Sequence, residues 1–197
     1  MRAFDAFFKE IDATWQPVGA GKIPLRILGC AALSLQTDYE RGTKDGDVLE
    51  TDAVTPAVQQ QLLGLAGPGT RLSVRHRLHI DIVHRGLAFL PHVPAWRPCV
   101  ALNPELTHFE IELLDVVDVV VSKLKRFHAN DVGDIRAMVD RGLVEHPRLI
   151  ERFRSAVDVF SGDARASDLP RYVENLHRIE RDDFDVPESD IELPEWI

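Results

Sequence analysis

The chain has 197 residues, of which 45% are hydrophobic and 28% charged, with a formal net charge of −9. That is enough apolar material to bury a core, either as one domain or as a small domain with a helical extension. No apolar run is long enough to span a membrane, Met1 to Asp5 lacks the character of a signal peptide, and only Cys30 and Cys99 are present. Together these features disfavour a membrane protein or a disulfide-stapled secreted domain and point to the reducing cytoplasm.

In chain order, Phe4, Phe7, Phe8 and Ile11 lie on one face of an N-terminal helix. Pro24 to Leu28 reads as a short apolar strand and Gly29-Cys30 as a tight turn with room for a phosphate. Ala31 to Gln36 then forms a short helix whose first amides face that turn, an arrangement that binds phosphate well. A polar connector leads to Arg41-Gly42-Thr43-Lys44-Asp45-Gly46-Asp47-Val48-Leu49. On a strand, Asp45 and Asp47 point to the same face, which is how a protein holds a divalent metal against a triphosphate. The plain alternative for Asp-x-Asp is a solvated turn. A calcium loop is excluded, because Val48 and Leu49 follow at once. Gly46 takes a core-facing side chain out of the strand and is expected to loosen it by about 1 kcal/mol.

Thr55-Pro56 starts a further helix, ended by Gly64 to Gly69. From Arg75 to Ile82 the sequence alternates, with Leu78, Ile80 and Ile82 on one face and Arg75, Arg77, His79 and Asp81 on the other, the pattern of a half-buried strand. If it lies beside the Asp45 strand, Asp81 supplies a third carboxylate and Arg77 or Arg75 reaches phosphates. His79 shares the Asp81 face and could assist the site, with an ordinary surface histidine as the alternative. His76 and His79, on opposite faces of such a strand, cannot chelate one zinc. Residues 85 to 98, rich in Pro and His and containing Trp96, read as a connector, lid or substrate loop, followed by short strands at Val100 to Leu102 and Phe109 to Leu113. No Gly-x-Ser-x-Gly elbow supports a serine hydrolase.

From Asp115 the pattern is helical. Val116, Val119, Val120, Leu124 and Phe127 recur at helical spacing, with Lys123 and Arg126 one turn apart on one side, and a second helix begins near Asp131. Pro147 opens a helix through Phe160, and Ser167-Asp168 opens another through about Arg181. Residues 182–197 form an acidic tail of −7, which leaves about −2 for the rest; it reads as a solvated or loosely docked terminus. The organisation is thus α+β: a core over 1–114 with a small mixed sheet flanked by helices, a helical part over 115–181 packed on it, and the tail.

The succession of strand, Gly turn, helix, polar connector and Asp-x-Asp strand resembles the opening of the nucleotidyltransferase superfamily, with the polymerase-beta-like fold. Arg41-Gly42-Thr43-Lys44-Asp45-Gly46-Asp47 is most similar to the Arg-x-Ser/Thr-x-Asp-x-Asp segment of AbiEii-type toxins and related minimal nucleotidyltransferase-like proteins, with Cys30 where the family turn has Gly or Ser and Gly46 where it has an apolar residue. Lys123-Leu124-Lys125-Arg126 and Asp131-Val132-Gly133-Asp134-Ile135 resemble that family's Lys-Leu-x-Arg and Asp-x-x-Asp-hydrophobic segments. The resemblance implies transfer of a nucleoside monophosphate from a nucleoside triphosphate to a hydroxyl, with Mg2+ or Mn2+ held by Asp45, Asp47 and Asp81. It also implies nucleotide contacts from Gly29, Cys30, Arg41, Thr43, Arg77, Lys123 and Arg126, and support from Asp131 and Asp134. An RNA or tRNA end or a protein is the implied acceptor, and the toxin of a toxin–antitoxin pair, with an antitoxin as partner, a compatible role. The alternative motivated by Cys30 and Gly46 is a degenerate fold that binds a nucleotide or protein without catalysis.

Overall fold

The computed structural model describes residues 3–17 and 19–196, so the readings that touch Met1, Arg2 and Ile197 lie outside the described residues. The chain divides into two compact units, Met1–Leu87 with Trp96–Leu114, and Ala88–Ala95 with Asp115–Ile197.

In the first unit, helix α1 (Ala3–Thr14) buries Phe4, Phe7, Phe8 and Ile11, the stripe expected from its spacing. Strand β1 (Ile23–Ile27), helix α2 (Gly29–Gln36) and strand β2 (Asp45–Leu49) follow. Helix α3 (Pro56–Ala66) starts at Thr55, whose hydroxyl accepts from the Val58 amide, with Pro56 in the first turn. Next come helix α4 (Arg71–His76), strand β3 (His79–Val83), edge strand β4 (Trp96–Pro98) and strand β5 (Phe109–Leu114). The sheet has the order β3-β2-β1-β5-β4 and is mixed: β2 runs parallel to β3 and β1 parallel to β5, while β1/β2 and β4/β5 are antiparallel. The registers Ile27↔Val48 and Ile23↔Phe109, with strict alternation, put Leu25, Ile27, Val48, Ile80, Phe109, Ile111 and Leu113 on one buried face. Buried Asp12 accepts from the amides of Thr107, His108 and Phe109 at 2.8, 2.7 and 3.2 Å, which ties the end of α1 to the start of β5.

This is the α+β class read from the sequence, a five-stranded mixed sheet flanked by helices and followed by a helical part. Three local readings are corrected. Arg71–His76 is a helix, capped at Thr70 by a hydroxyl that accepts from the Ser73 amide; the strand starts only at His79, after Arg77 closes the helix with a left-handed φ of 56°. Val100 to Leu102 is not a strand but a turn that leads into a 3-10 helix at Asn103–Glu105, where Asn103 binds the Ile111 backbone on both sides. The segment read as a connector carries β4, whose Pro98 is tolerated at a sheet edge.

The second unit is built from α5 (Val116–Leu124), α6 (Ala129–Asp140), α7 (His146–Ser161) and α8 (Leu169–Ile179), continued by a π-helical turn at Glu180–Phe184. Asp115 caps α5 by accepting from the Val117 amide. Asp118 accepts from Arg152 at 2.7 and 2.6 Å and from the Ala95 amide at 2.7 Å. Phe89, Phe153, Phe160 and Tyr172 form an edge-to-face cluster, with Phe89 5.5, 5.1 and 5.1 Å from the other three rings. The acidic segment is more firmly attached than its composition suggests: Arg181 pairs with Glu188, Arg154 donates to the Asp190 carbonyl at 2.8 Å, and the Ser189 amide donates to buried Glu180. Both cysteines are buried and neither is in a disulfide, and no described helix is long and apolar enough to cross a membrane.

Candidate active site

The β2/β3 register sets Asp45 opposite His79 and Asp47 opposite Asp81. Side chains alternate along each strand, so these four share one face of the sheet, while Gly46, Val48 and Ile80 point into the core. Gly46, read from the sequence as loosening the strand, is closely backed by its neighbours. A Cβ there would stand 3.2 Å from Ile80 Cδ1 and 3.5 Å from Phe4 Cε1, so those side chains fill its place and brace the strand from behind.

His79 Nε2 lies 3.2 Å from Asp45 Oδ1 and 3.2 Å from Asp81 Oδ2. One ligand atom from each of Asp45, His79 and Asp81 falls within 4.8 Å of the others, the one such group among the described residues. The Asp45 and Asp81 side chains are 53% and 47% exposed and His79 only 23%, so two half-exposed carboxylates flank a more buried imidazole. The sequence reading placed His79 on the Asp81 face but not against Asp45. A strand beginning at His79, in register with Asp45, was the signal that could have found it.

Asp47 faces the turn before α2. The Leu28 amide donates to the Asp47 carbonyl at 2.8 Å, and Gly29, with φ +61°, brings its Cα so close that a Cβ would lie 2.7 Å from Asp47 Oδ2. Only glycine adopts that conformation at little cost and leaves room for the carboxylate. Cys30 buries its side chain, so what the turn offers an anion is the backbone at the start of α2.

Arg41 and Thr43 are half-buried on the connector before β2. Arg77 is exposed at the end of α4 rather than on the β3 face, two residues before the strand starts. Arg75, the other cation expected near phosphate, donates to Glu10 of α1 at 2.6 Å, beside a His76–Glu10 contact of 2.6 Å. Hydrogen bonds from His76 and Arg75 and their charges hold the Glu10 carboxyl below its ordinary pKa.

In the second unit Lys123 is 4% exposed, with Nζ 3.0 Å from Asp131 Oδ1 and 2.8 Å from Asp134 Oδ2. Asp131 also accepts from Arg126 at 3.3 Å and from the His128 amide at 3.3 Å, which makes it the third-residue carboxylate at the start of α6. Burial works against its ionised form, but Lys123 and Arg126 outweigh it and hold its pKa below the ordinary value. Nothing in the spacing of Lys123 and Arg126 distinguishes a buried ammonium from an exposed one.

A family model described as a nucleotidyltransferase of unknown function (DUF6036) matches residues 6–180. Comparison with curated proteins and with solved structures finds no match.

Proposed function

The chain belongs to this nucleotidyltransferase family, and we propose that it transfers a nucleoside monophosphate from a nucleoside triphosphate to a hydroxyl acceptor, with Mg2+ or Mn2+ as cofactor. The observation that carries the reading is the parallel β2/β3 register, which lines Asp45, Asp47 and Asp81 along one sheet face beside the Gly29 turn.

The donor set fits a divalent cation, since carboxylate oxygens are the usual protein ligands and two of the three carboxylates are about half exposed. A bound cation supplies charge neutralisation for the triphosphate and Lewis acidity toward the reacting oxygens. Gly29 and the amide of Cys30 cradle phosphate at the start of α2, with Arg41, Thr43 and Arg77 as further contacts. The acceptor oxygen bonds to the α-phosphorus as the bond from that phosphorus to the pyrophosphate oxygen breaks, pyrophosphate leaves, and the hydroxyl proton passes to solvent. The likeness to AbiEii-type toxins assigns phosphate contacts to Lys123 and Arg126 as well. The burial of Lys123 between two acids favours a holding role, with Asp131 and Asp134 as its partners.

The same likeness makes an RNA or tRNA end the first acceptor to test and a protein hydroxyl the second, in the cytoplasm, with a toxin role and a neutralising antitoxin as the biological setting. The non-catalytic alternative drew on Cys30 and on a loosened Gly46 strand, and the Phe4 and Ile80 contacts behind Gly46 weigh against the second of these. The test is transfer of label from each α-labelled nucleoside triphosphate, with Mg2+ or Mn2+, to total tRNA and to the chain itself. Label lost in Asp45→Ala/Asp47→Ala identifies the enzyme and its acceptor class. Equal background from both proteins favours a binding module.

A further inference from the structure

We propose that His79 is itself a metal ligand, and that its imidazole turns an oxygen site suited to Mg2+ into a mixed site that binds Mn2+ in preference to Mg2+. The inference rests on the reading above that Asp45, Asp47 and Asp81 hold a divalent cation, and adds a residue and a selectivity to it.

Three observations converge on His79. Its strand position is fixed opposite Asp45 and two residues before Asp81, so that the backbone aims all three side chains to one side. Its Nε2 lies 3.2 Å from each carboxylate, and among the described residues these three form the one metal-ligand group that gathers so closely. The imidazole is the least exposed of the three side chains, at 23%. Ligand atoms around one ion bound at about 2.0–2.2 Å stand roughly 3–4 Å apart, and these three, each within 4.8 Å of the others, lie close to that spacing.

The chemistry sets the selectivity. Mg2+ is a hard ion that demands oxygen in near-ideal octahedral geometry and keeps several waters. A nitrogen donor adds little for it, whereas affinity for such a site rises from Mn2+ through the later first-row metals. A site of two or three carboxylates and one imidazole therefore separates Mn2+ from Mg2+ by its nitrogen, while a purely acidic triad relies on oxygen alone. The rival is a bridging role, in which His79 merely joins Asp45 to Asp81 by hydrogen bonds and competes with the metal.

The experiment is titration of the full chain with Mn2+ alone, followed by electron paramagnetic resonance, with Mg2+ as competitor and electron-spin-echo detection of nitrogen coupling. The expected result is bound Mn2+ coupled to one 14N, displaced only by Mg2+ in at least about tenfold excess. In His79→Asn the coupling should vanish, Mn2+ should bind about tenfold or more weakly, and Mg2+ affinity should change little. Binding and coupling should both disappear in Asp45→Asn/Asp81→Asn, with circular dichroism to show that each variant is folded. Bound Mn2+ without nitrogen coupling, or equal or tighter binding by His79→Asn, overturns the role of His79 and leaves the carboxylate site standing. Coupling that survives in the double carboxylate variant places the ion elsewhere and also overturns it. No Mn2+ binding by the unaltered chain overturns both the inference and the metal reading beneath it.

Discussion

Gly29 and Asp47 are matched to each other: the glycine turns with φ +61°, and the carboxylate occupies the space that any side chain at that position would need, 2.7 Å from where its Cβ would begin. The turn at the head of α2 and the second acid of β2 thus form one unit, joined also by the hydrogen bond from the Leu28 amide to the Asp47 carbonyl.

Gly29→Ala should therefore harm stability and site together. The left-handed backbone costs a residue with a Cβ about 1–2 kcal/mol, and Asp47 must move aside. Thermal melting and label transfer should both fall. Gly64→Ala, at a helix position with open space around it, should leave transfer intact and hold or raise stability.

Lys123→Met should be strongly destabilising, by about 3–5 kcal/mol, because it takes the ammonium from two buried carboxylates. Lys123→Met/Asp134→Leu should recover a good part of that loss, since Asp131 keeps Arg126 and the His128 amide. Urea denaturation of both variants checks this. A single variant as stable as the parent chain would mean that Lys123 does not hold the two acids.

Much of this arrangement was legible in the residues. Asp-x-Asp announced β2, the Gly29 turn announced the approach to α2, and Thr55-Pro56 and Asp115 marked their helices because capping is a local interaction. Arg75 and His76 were read into the strand because the polar series Arg75, Arg77, His79 and Asp81 alternates, whereas these two residues end a helix capped by Thr70. Asp81 was found by pattern, but its place beside Asp47 depends on sheet register, a long-range property that no local spacing encodes. The pairing of His79 with Asp45 and the burial of Lys123 were missed for the same reason, since both depend on partners brought in by the fold.

Glu180 gives the helical unit a pH dependence. It is fully buried and accepts from the Ser189 amide with both oxygens, at 3.2 and 3.1 Å, and from His146 at 2.8 Å. Burial disfavours its charge, yet the hydrogen bonds from Ser189 and His146 prevail and hold its pKa below the ordinary 4.5. A carboxyl depressed on folding contributes stability that is fully present above its unfolded pKa and is lost as pH falls through the folded one. Glu180→Gln should therefore cost about 1–3 kcal/mol at pH 7, and the gap from the parent chain should narrow below about pH 4.5. Denaturation at a series of pH values measures it, and a gap that stays constant to pH 3 contradicts it.

The most direct test of the central claim is label transfer by Asp81→Asn, because Asp81 joins the candidate site only through the β2/β3 register. With the variant shown to be folded, transfer from the α-labelled nucleoside triphosphate should fall by about 100-fold or more, the scale of removing one group that stabilises developing charge. Transfer that depends on Asp45 and Asp47 but is unchanged in Asp81→Asn would contradict a site assembled across the two strands.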